Sequence, residues 1–162
     1  MRNIAINQKG FTLIELVMVI VLLGILSVGA SGLFSSKSSY AEYIAKEQLI
    51  AQGLLAQQIA FGMSATSDPV SLSVARSASG QTSFSLSKVG QPALTELLDS
   101  SLNSPLVDGS ALSNGTSVTF TWNSKAGLSD DTNHSVTFVG DKSYRVCFSS
   151  FGYVYESSVA CP

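Results

Sequence analysis

The sequence predicts an α+β chain, one long N-terminal helix followed by an antiparallel β-sheet. Three observations predict it. From Phe11 to Phe34 the chain reads FTLIELVMVIVLLGILSVGASGLF, with Glu15 as its single charge. No proline occurs between Met1 and Asp68, so nothing in that stretch interrupts a helix. Beyond Pro69 the composition changes to Ser, Thr and Gly interleaved with apolar residues at period two, the pattern of half-buried strands.

Composition bounds the function. A chain of 162 residues suits one compact domain with an accessory segment, not two enzyme-sized domains. With 45% hydrophobic and 12% charged residues and a mean hydropathy of +0.30, it is not a charge-driven disordered chain. Nine Lys and Arg against eleven Asp and Glu, thinly spread, argue against a phosphate-tracking protein, so no nucleic-acid partner is expected. Two Cys and one His cannot fill a four-ligand zinc site without carboxylates. No Gly-x-Ser-x-Gly elbow, P-loop or dinucleotide glycine fingerprint is present. The expectation is a non-enzyme without a cofactor.

Taken in order, the first element is the apolar run. Leu16 through Ser36 carries no charge and is about the ~20 residues that a helix needs to cross a bilayer core. Arg2 and Lys9 precede it without an acidic companion, which places the N-terminus in the cytoplasm and the remainder across the membrane. Three readings fit. One is a secretory signal peptide cut after Val28-Gly29-Ala30, and another is an unprocessed anchor. Neither needs Glu15, whose ionised carboxylate costs ~2.5–3.5 kcal/mol inside an apolar span. A third reading gives that carboxylate work to do.

Lys9-Gly10-Phe11-Thr12-Leu13-Ile14-Glu15-Leu16 resembles the N-terminal motif of type IV pilins and type II secretion pseudopilins. The resemblance implies cleavage by a prepilin peptidase after Gly10 and N-methylation of Phe11. It implies an assembly role for Glu15, fifth residue of the mature chain. The ten-residue leader resembles the short-leader, type IVa branch. Implied partners are other pilin subunits through the first helix, an assembly platform and its ATPase, and the inner membrane before assembly. The chain then divides into a leader, 1–10, a transmembrane and polymerisation segment, 11–34, and a periplasmic head, 35–162. Where family members often carry a helix-kinking proline, this chain has Gly29-Ala30-Ser31-Gly32, which can bend a helix without forcing it.

The helix is expected to continue to about residue 62. In its second half Leu33, Tyr40, Ile44, Ala51, Leu55 and Ile59 form one apolar stripe, expected to dock on the head. Lys37, Glu42, Lys46, Gln48 and Gln52 occupy the other, wet face. Pro69 keeps the helix closed. Strands are expected at Val70–Val74, Phe84–Leu86, Val118–Trp122, Val136–Phe138, Tyr144–Phe148 and Tyr153–Tyr155, with a turn at Gly140-Asp141. They would form one sheet of four to six strands, packed on the helix by one face and wet on the other, where many of the 29 Ser would lie. Pro92–Asp99 reads as a short helix.

Cys147 and Cys161 lie on the oxidising side of that topology and are expected to bridge, closing a loop of roughly 15 residues worth ~3 kcal/mol. This resembles the C-terminal disulfide-bounded region of many type IVa pilins, an interaction-bearing surface; the bridge equally serves to pin the chain end. His134 reads as a solvated loop residue. Asp130-Asp131-Thr132-Asn133 lacks the Gly and bidentate Glu of an EF-hand loop, so an ordinary polar turn and no metal are expected. Phe151, Tyr153 and Tyr155 read as sheet or core packing.

Val21-Leu-Leu-Gly-Ile-Leu-Ser-Val28, Tyr40-Ala-Glu42 and the Ser-rich head are most similar to a minor pilin of the mannose-sensitive haemagglutinin type. Two alternatives stay open, a type II secretion pseudopilin and a membrane-anchored periplasmic binding module. The Cys pair favours the pilus over the pseudopilus.

Overall fold

The computed structural model describes residues 11–31, 37–63 and 69–162. The chain divides into two compact units, Met1–Lys37 and Ser38–Pro162, each taken by itself.

In the first unit, helix α1 spans Leu13–Ser31 and contains Glu15 in its first turn. Thr12 caps it. Its carbonyl accepts from the amides of Glu15 and Leu16 at 3.1 and 3.3 Å, and its hydroxyl lies 3.4 Å from the Glu15 amide. Glu15 Oε2 reaches back to the Thr12 amide at 3.4 Å, the reciprocal arrangement of a capping box. Every side chain from Phe11 to Leu26 is exposed. α1 stays helical through Gly29, Ala30 and Ser31. The expected single helix is therefore seen as two segments, and the Gly32 end of the possible bend, with the rest of 32–36, lies outside the described residues.

In the second unit, helix α2 spans Lys37–Phe61, close to the expected end. Strands β1 Val70–Arg76, β2 Thr82–Lys88, β3 Leu94–Leu97 and β6 Ser117–Trp122 form a four-stranded sheet in the order β3-β2-β1-β6. Strands β4 Leu106–Val107, β5 Ser110–Ala111, β7 His134–Phe138, β8 Tyr144–Phe148 and β9 Val154–Glu156 form a five-stranded one in the order β5-β4-β7-β8-β9. All named pairings are antiparallel. The architecture is α+β, a helix packed on antiparallel sheets. The core takes Val70, Leu72 and Val74 from β1, Phe84 and Leu86 from β2, and Phe120 and Trp122 from β6. It is completed by Val136, Phe138, Val146, Phe148 and Val154 from the other sheet. The alternate β1 and β2 positions are Ser71, Ser73, Ser83, Ser85 and Ser87, and pairs such as Ser85–Thr95 lace that face with hydroxyl hydrogen bonds.

Three expectations need correction. The head has two sheets and, among the described residues, nine strands, because the pairs β4–β5 and β2–β3 add elements too short for periodicity to reveal. Pro92–Asp99 is no helix. Leu94–Leu97 pairs antiparallel with β2 instead, Ser83 opposite Leu97 and Leu86 opposite Leu94, so tertiary pairing overrides an equally helical apolar spacing. The third concerns α2, whose docking face is inverted. Ala41, Ala45, Leu49, Ala56 and Ala60 are buried together with Glu42, Lys46, Gln52 and Gln57. The stripe expected to dock, Tyr40, Ile44, Ala51 and Leu55, is exposed, with Ile59 half-buried. Small residues let the helix lie close to the sheets, and a Cβ at Gly53 would meet Val154 Cγ2 at 2.7 Å. Two of the buried polar side chains, Lys46 and Gln52, and the half-buried Gln48 have partners on the strands. Gln48 and Gln52 each donate from Nε2 to Glu96 of β3, at 2.6 and 3.0 Å, and Lys46 Nζ donates to Glu156 of β9 at 2.8 Å.

Candidate functional site

The first candidate is the start of α1. Phe11 is 84% exposed, and Glu15 lies one turn further on, at the helix end whose free amides and dipole favour a carboxylate. Among the described residues Glu15 meets Thr12, at 3.4 Å from both its amide and its hydroxyl. Gly10, expected before the scissile bond, lies outside the described residues. From Leu13 to Leu26 the helix is apolar and exposed on all sides, apart from Glu15 and Gly24, and such a helix requires a cover of lipid or protein.

The outer face of α2 is the second candidate. Tyr40, Tyr43, Ile44, Leu54, Leu55 and Phe61 are all exposed, so it presents apolar surface on the side away from its own sheets. The inner face is locked by charge. Lys46, with only 4% of its side chain exposed, reaches Glu47 at 2.7 Å and Glu156 at 2.8 Å, its ammonium over the rings of Tyr43 and Tyr144. Burial alone would lower its pKa, but the hydrogen bonds to Glu156 and Glu47 outweigh burial and hold it above the ordinary lysine value.

The third is the C-terminal region. Cys147 and Cys161 form a disulfide with Cα atoms 5.6 Å apart, tying the chain end to β8. Within that loop Val154 alone of the 151–155 aromatic and aliphatic group is buried. Phe151 and Tyr153 are 75% and 60% exposed and Tyr155 is exposed on β9, so none of the three rings packs in the core and, of the expected sheet or core packing, only Tyr155 takes a sheet position. On β9 Val154 turns inward and Tyr155 outward, and Tyr153, just before the strand, is exposed as well. His134 also departs from expectation. It opens β7 rather than a solvated loop, its ring nitrogens each 2.7 Å from a carboxylate, Asp108 on one side and Asp130 on the other. Sequence reasoning missed this cluster because Asp108 is remote in the chain; only the i, i+4 pair Asp130–His134 was within its reach.

Residues 6–31 match the family model described as the prokaryotic N-terminal methylation motif. The N-terminus is similar to that motif. The match contains Gly10, Phe11 and Glu15, and with the α+β head it supports a type IV pilin-like or pseudopilin-like prepilin. A prepilin-type N-terminus implies a membrane-anchored precursor, processing by a prepilin peptidase and assembly with other pilins. No curated protein and no solved structure matches the chain. Among the described residues no helix is long and apolar enough to cross a membrane. The uncharged run Leu16–Ser36 continues past α1 into residues 32–36, outside the described residues.

Proposed function

We propose that the chain is a structural subunit, a minor pilin, of a type IV pilus, most similar to the mannose-sensitive haemagglutinin type. It catalyses nothing and is itself the substrate of a prepilin peptidase. Before assembly it sits in the inner membrane, residues 1–10 as a cytoplasmic leader, 11–34 as the span and 35–162 as a periplasmic head. A platform protein and its ATPase then stack it into a surface fibre that serves adhesion. One observation carries this reading. Glu15 is the sole charge of an otherwise apolar helix that is exposed from Leu13 to Leu26, and it stands one turn from Phe11 inside the matched motif.

Cleavage after Gly10 would free an α-amine on Phe11, charged at neutral pH given a reference pKa of ~7.7–8.0. In an apolar bundle that ammonium and Glu15 are each costly alone and offset one another when paired between neighbours. The long contacts of Glu15 with Thr12 are then readily exchanged for the ammonium of a neighbouring subunit. The exposed apolar face of α2 supports the same reading, because a fibre buries it. The disulfide favours a pilus over a pseudopilus.

Mass spectrometry of the mature N-terminus tests the class. A chain beginning at N-methylated Phe11 is expected; one beginning at Ser31 overturns the reading, and one beginning at Met1 leaves a membrane-anchored binding module. Glu15→Ala is expected to insert into the membrane normally and to enter the fibre poorly. Normal incorporation of that variant would remove Glu15 from assembly.

A further inference from the structure

His134 is the single histidine of the chain, and the role proposed above does not call on it. Its Nδ1 lies 2.7 Å from Asp108 Oδ2 and its Nε2 lies 2.7 Å from Asp130 Oδ2, with Thr132 Oγ1 2.9 Å from the same Nε2. A neutral imidazole has one N–H and one lone pair, whereas ionised carboxylates only accept. A neutral ring therefore leaves one of the two short contacts without a proton. Only the doubly protonated ring donates to both.

The other oxygen of each carboxylate is also committed. Asp108 Oδ1 accepts from the Ser135 amide at 2.7 Å, and Asp130 Oδ1 accepts from the Thr132 amide at 3.2 Å. Two segments separate in sequence thus meet at one ring, the β4–β5 turn and the loop that runs directly into β7. The next residue extends the connection. Asn133 Oδ1 accepts from the Ser150 amide at 2.6 Å, between β8 and β9, and Asn133 Nδ2 donates to the main-chain oxygen of Pro162 beside Cys161.

We propose that Asp108, His134 and Asp130 form a charge-dependent latch that closes the β4–β5 turn and the 129–133 loop onto β7 and, through Asn133, holds the disulfide-bounded tail. The groups facing the ring are Asp108 from the β4–β5 turn and Asp130 with Thr132 from its own loop. From β6 it meets the uncharged Phe120 ring, 5.5 Å away, and its register partner on β8 is Phe148. Two carboxylates thus flank one imidazolium, and the cluster carries one net negative charge when closed.

The latch has a pH window. Burial alone would lower the His134 pKa, but the hydrogen bonds to Asp108 and Asp130 outweigh it and raise the pKa above the ordinary histidine value. Its contribution is therefore complete below that ordinary value and is lost as pH rises through the raised one. For Asp130, burial alone would raise the pKa, and the bonds from His134 and Thr132 lower it further than burial raises it. Its contribution is present above the ordinary carboxylate value and is lost as pH falls through the lowered one. The latch is closed between these two limits and opens on either side.

With one histidine, the imidazole signals of the full chain in detergent micelles need no assignment. In a 15N-histidine titration the expected result is a midpoint above that of free histidine, with the ring protonated at both nitrogens below that midpoint. Asp130→Asn and Asp108→Asn are each expected to lower the midpoint. Above it, the Ser135 and Ser150 amides should exchange roughly tenfold faster relative to Leu72, as the loss of a charge-assisted hydrogen bond implies. A midpoint at or below that of free histidine, or one unmoved by Asp130→Asn, overturns the latch. If Asp108→Asn fails to fold, the wild-type titration and the Asp130→Asn variant, whose backbone contact lies within its own loop, still decide.

Discussion

Gly152 is required by its neighbours and not by its own turn alone. Its φ of 84° is left-handed, its carbonyl accepts the buried Trp122 Nε1–H at 3.1 Å, and an added Cβ would fall on the Ala126 carbonyl and within 3.0 Å of Trp122 Cδ1. Gly115 shares the conformation, φ 78°, but has open space around it. A left-handed alanine costs ~1–2 kcal/mol, and forcing a methyl against packed backbone adds ~1–3 kcal/mol. Gly152→Ala is therefore expected to destabilise the head by roughly 2–5 kcal/mol and Gly115→Ala by only ~1–2 kcal/mol, by urea unfolding read through Trp122 fluorescence. Equal losses would show that the Ala126 contact adds nothing. Neither glycine's role was legible in the sequence, because an FGY or NGT string gives a turn but not what lies across it. Glu15 was legible, since a lone carboxylate in an apolar run is anomalous without any structure. Lys46 was not. Its partners Glu156 and Tyr144 are about a hundred residues away, so a lysine on a helix read as solvated.

At the scale of the element, α2 shows what periodicity can and cannot say. The period was visible, and with it the helix, but period alone does not say which face turns inward. The strong apolar stripe drew the assignment, whereas alanines at 41, 45, 56 and 60, Leu49 and Gly53 in fact set the close approach to the sheets. Polar residues that looked wet are anchored by Glu96 and Glu156 instead. Two opposed results follow for the two faces. Ala45→Leu adds volume at a fully buried contact and is expected to destabilise the head by ~1–3 kcal/mol. Ile44→Ser with Leu55→Ser removes exposed apolar surface, so head stability should change by no more than ~0.5 kcal/mol per site while fibre incorporation falls. Thermal melting beside a fibre pull-down separates the two. A stability loss in the outer-face double variant as large as that of Ala45→Leu would reverse the orientation of α2. The strands were read more easily, because β1, β2, β6 and β7 alternate apolar residues with Ser and Thr. β3 to β5 are short, and only their partners define them.

At the scale of the molecule, the division into two units separates what assembles from what is folded by its own core. The low charge fraction of the chain belongs mainly to residues 11–34. Loss of the leader would remove Arg2 and Lys9, leaving seven basic against eleven acidic residues, a charge of 7 − 11 = −4 before the new amine is counted. The head's last restraint is covalent. Cys147 and Cys161, 14 residues apart, close the loop that carries β9 and the exposed Phe151 and Tyr153. Constraining the unfolded chain over such a loop is worth ~3 kcal/mol in the chain-entropy model. The stabilisation belongs to the unit 38–162, which contains both cysteines. Reduction, or Cys147→Ser with Cys161→Ser, is therefore expected to lower the head's melting temperature by ~10 °C or more, since ~1 kcal/mol moves a domain of this size by a few degrees. In detergent micelles the helical signal of α1 should persist after the head's Trp122 and near-ultraviolet signals have melted. Glu15→Ala should leave that head transition where it was. If reduction instead melted both units in one step, or Glu15→Ala shifted the head, the two units would share a cooperative core and assembly could not be altered without altering the fold.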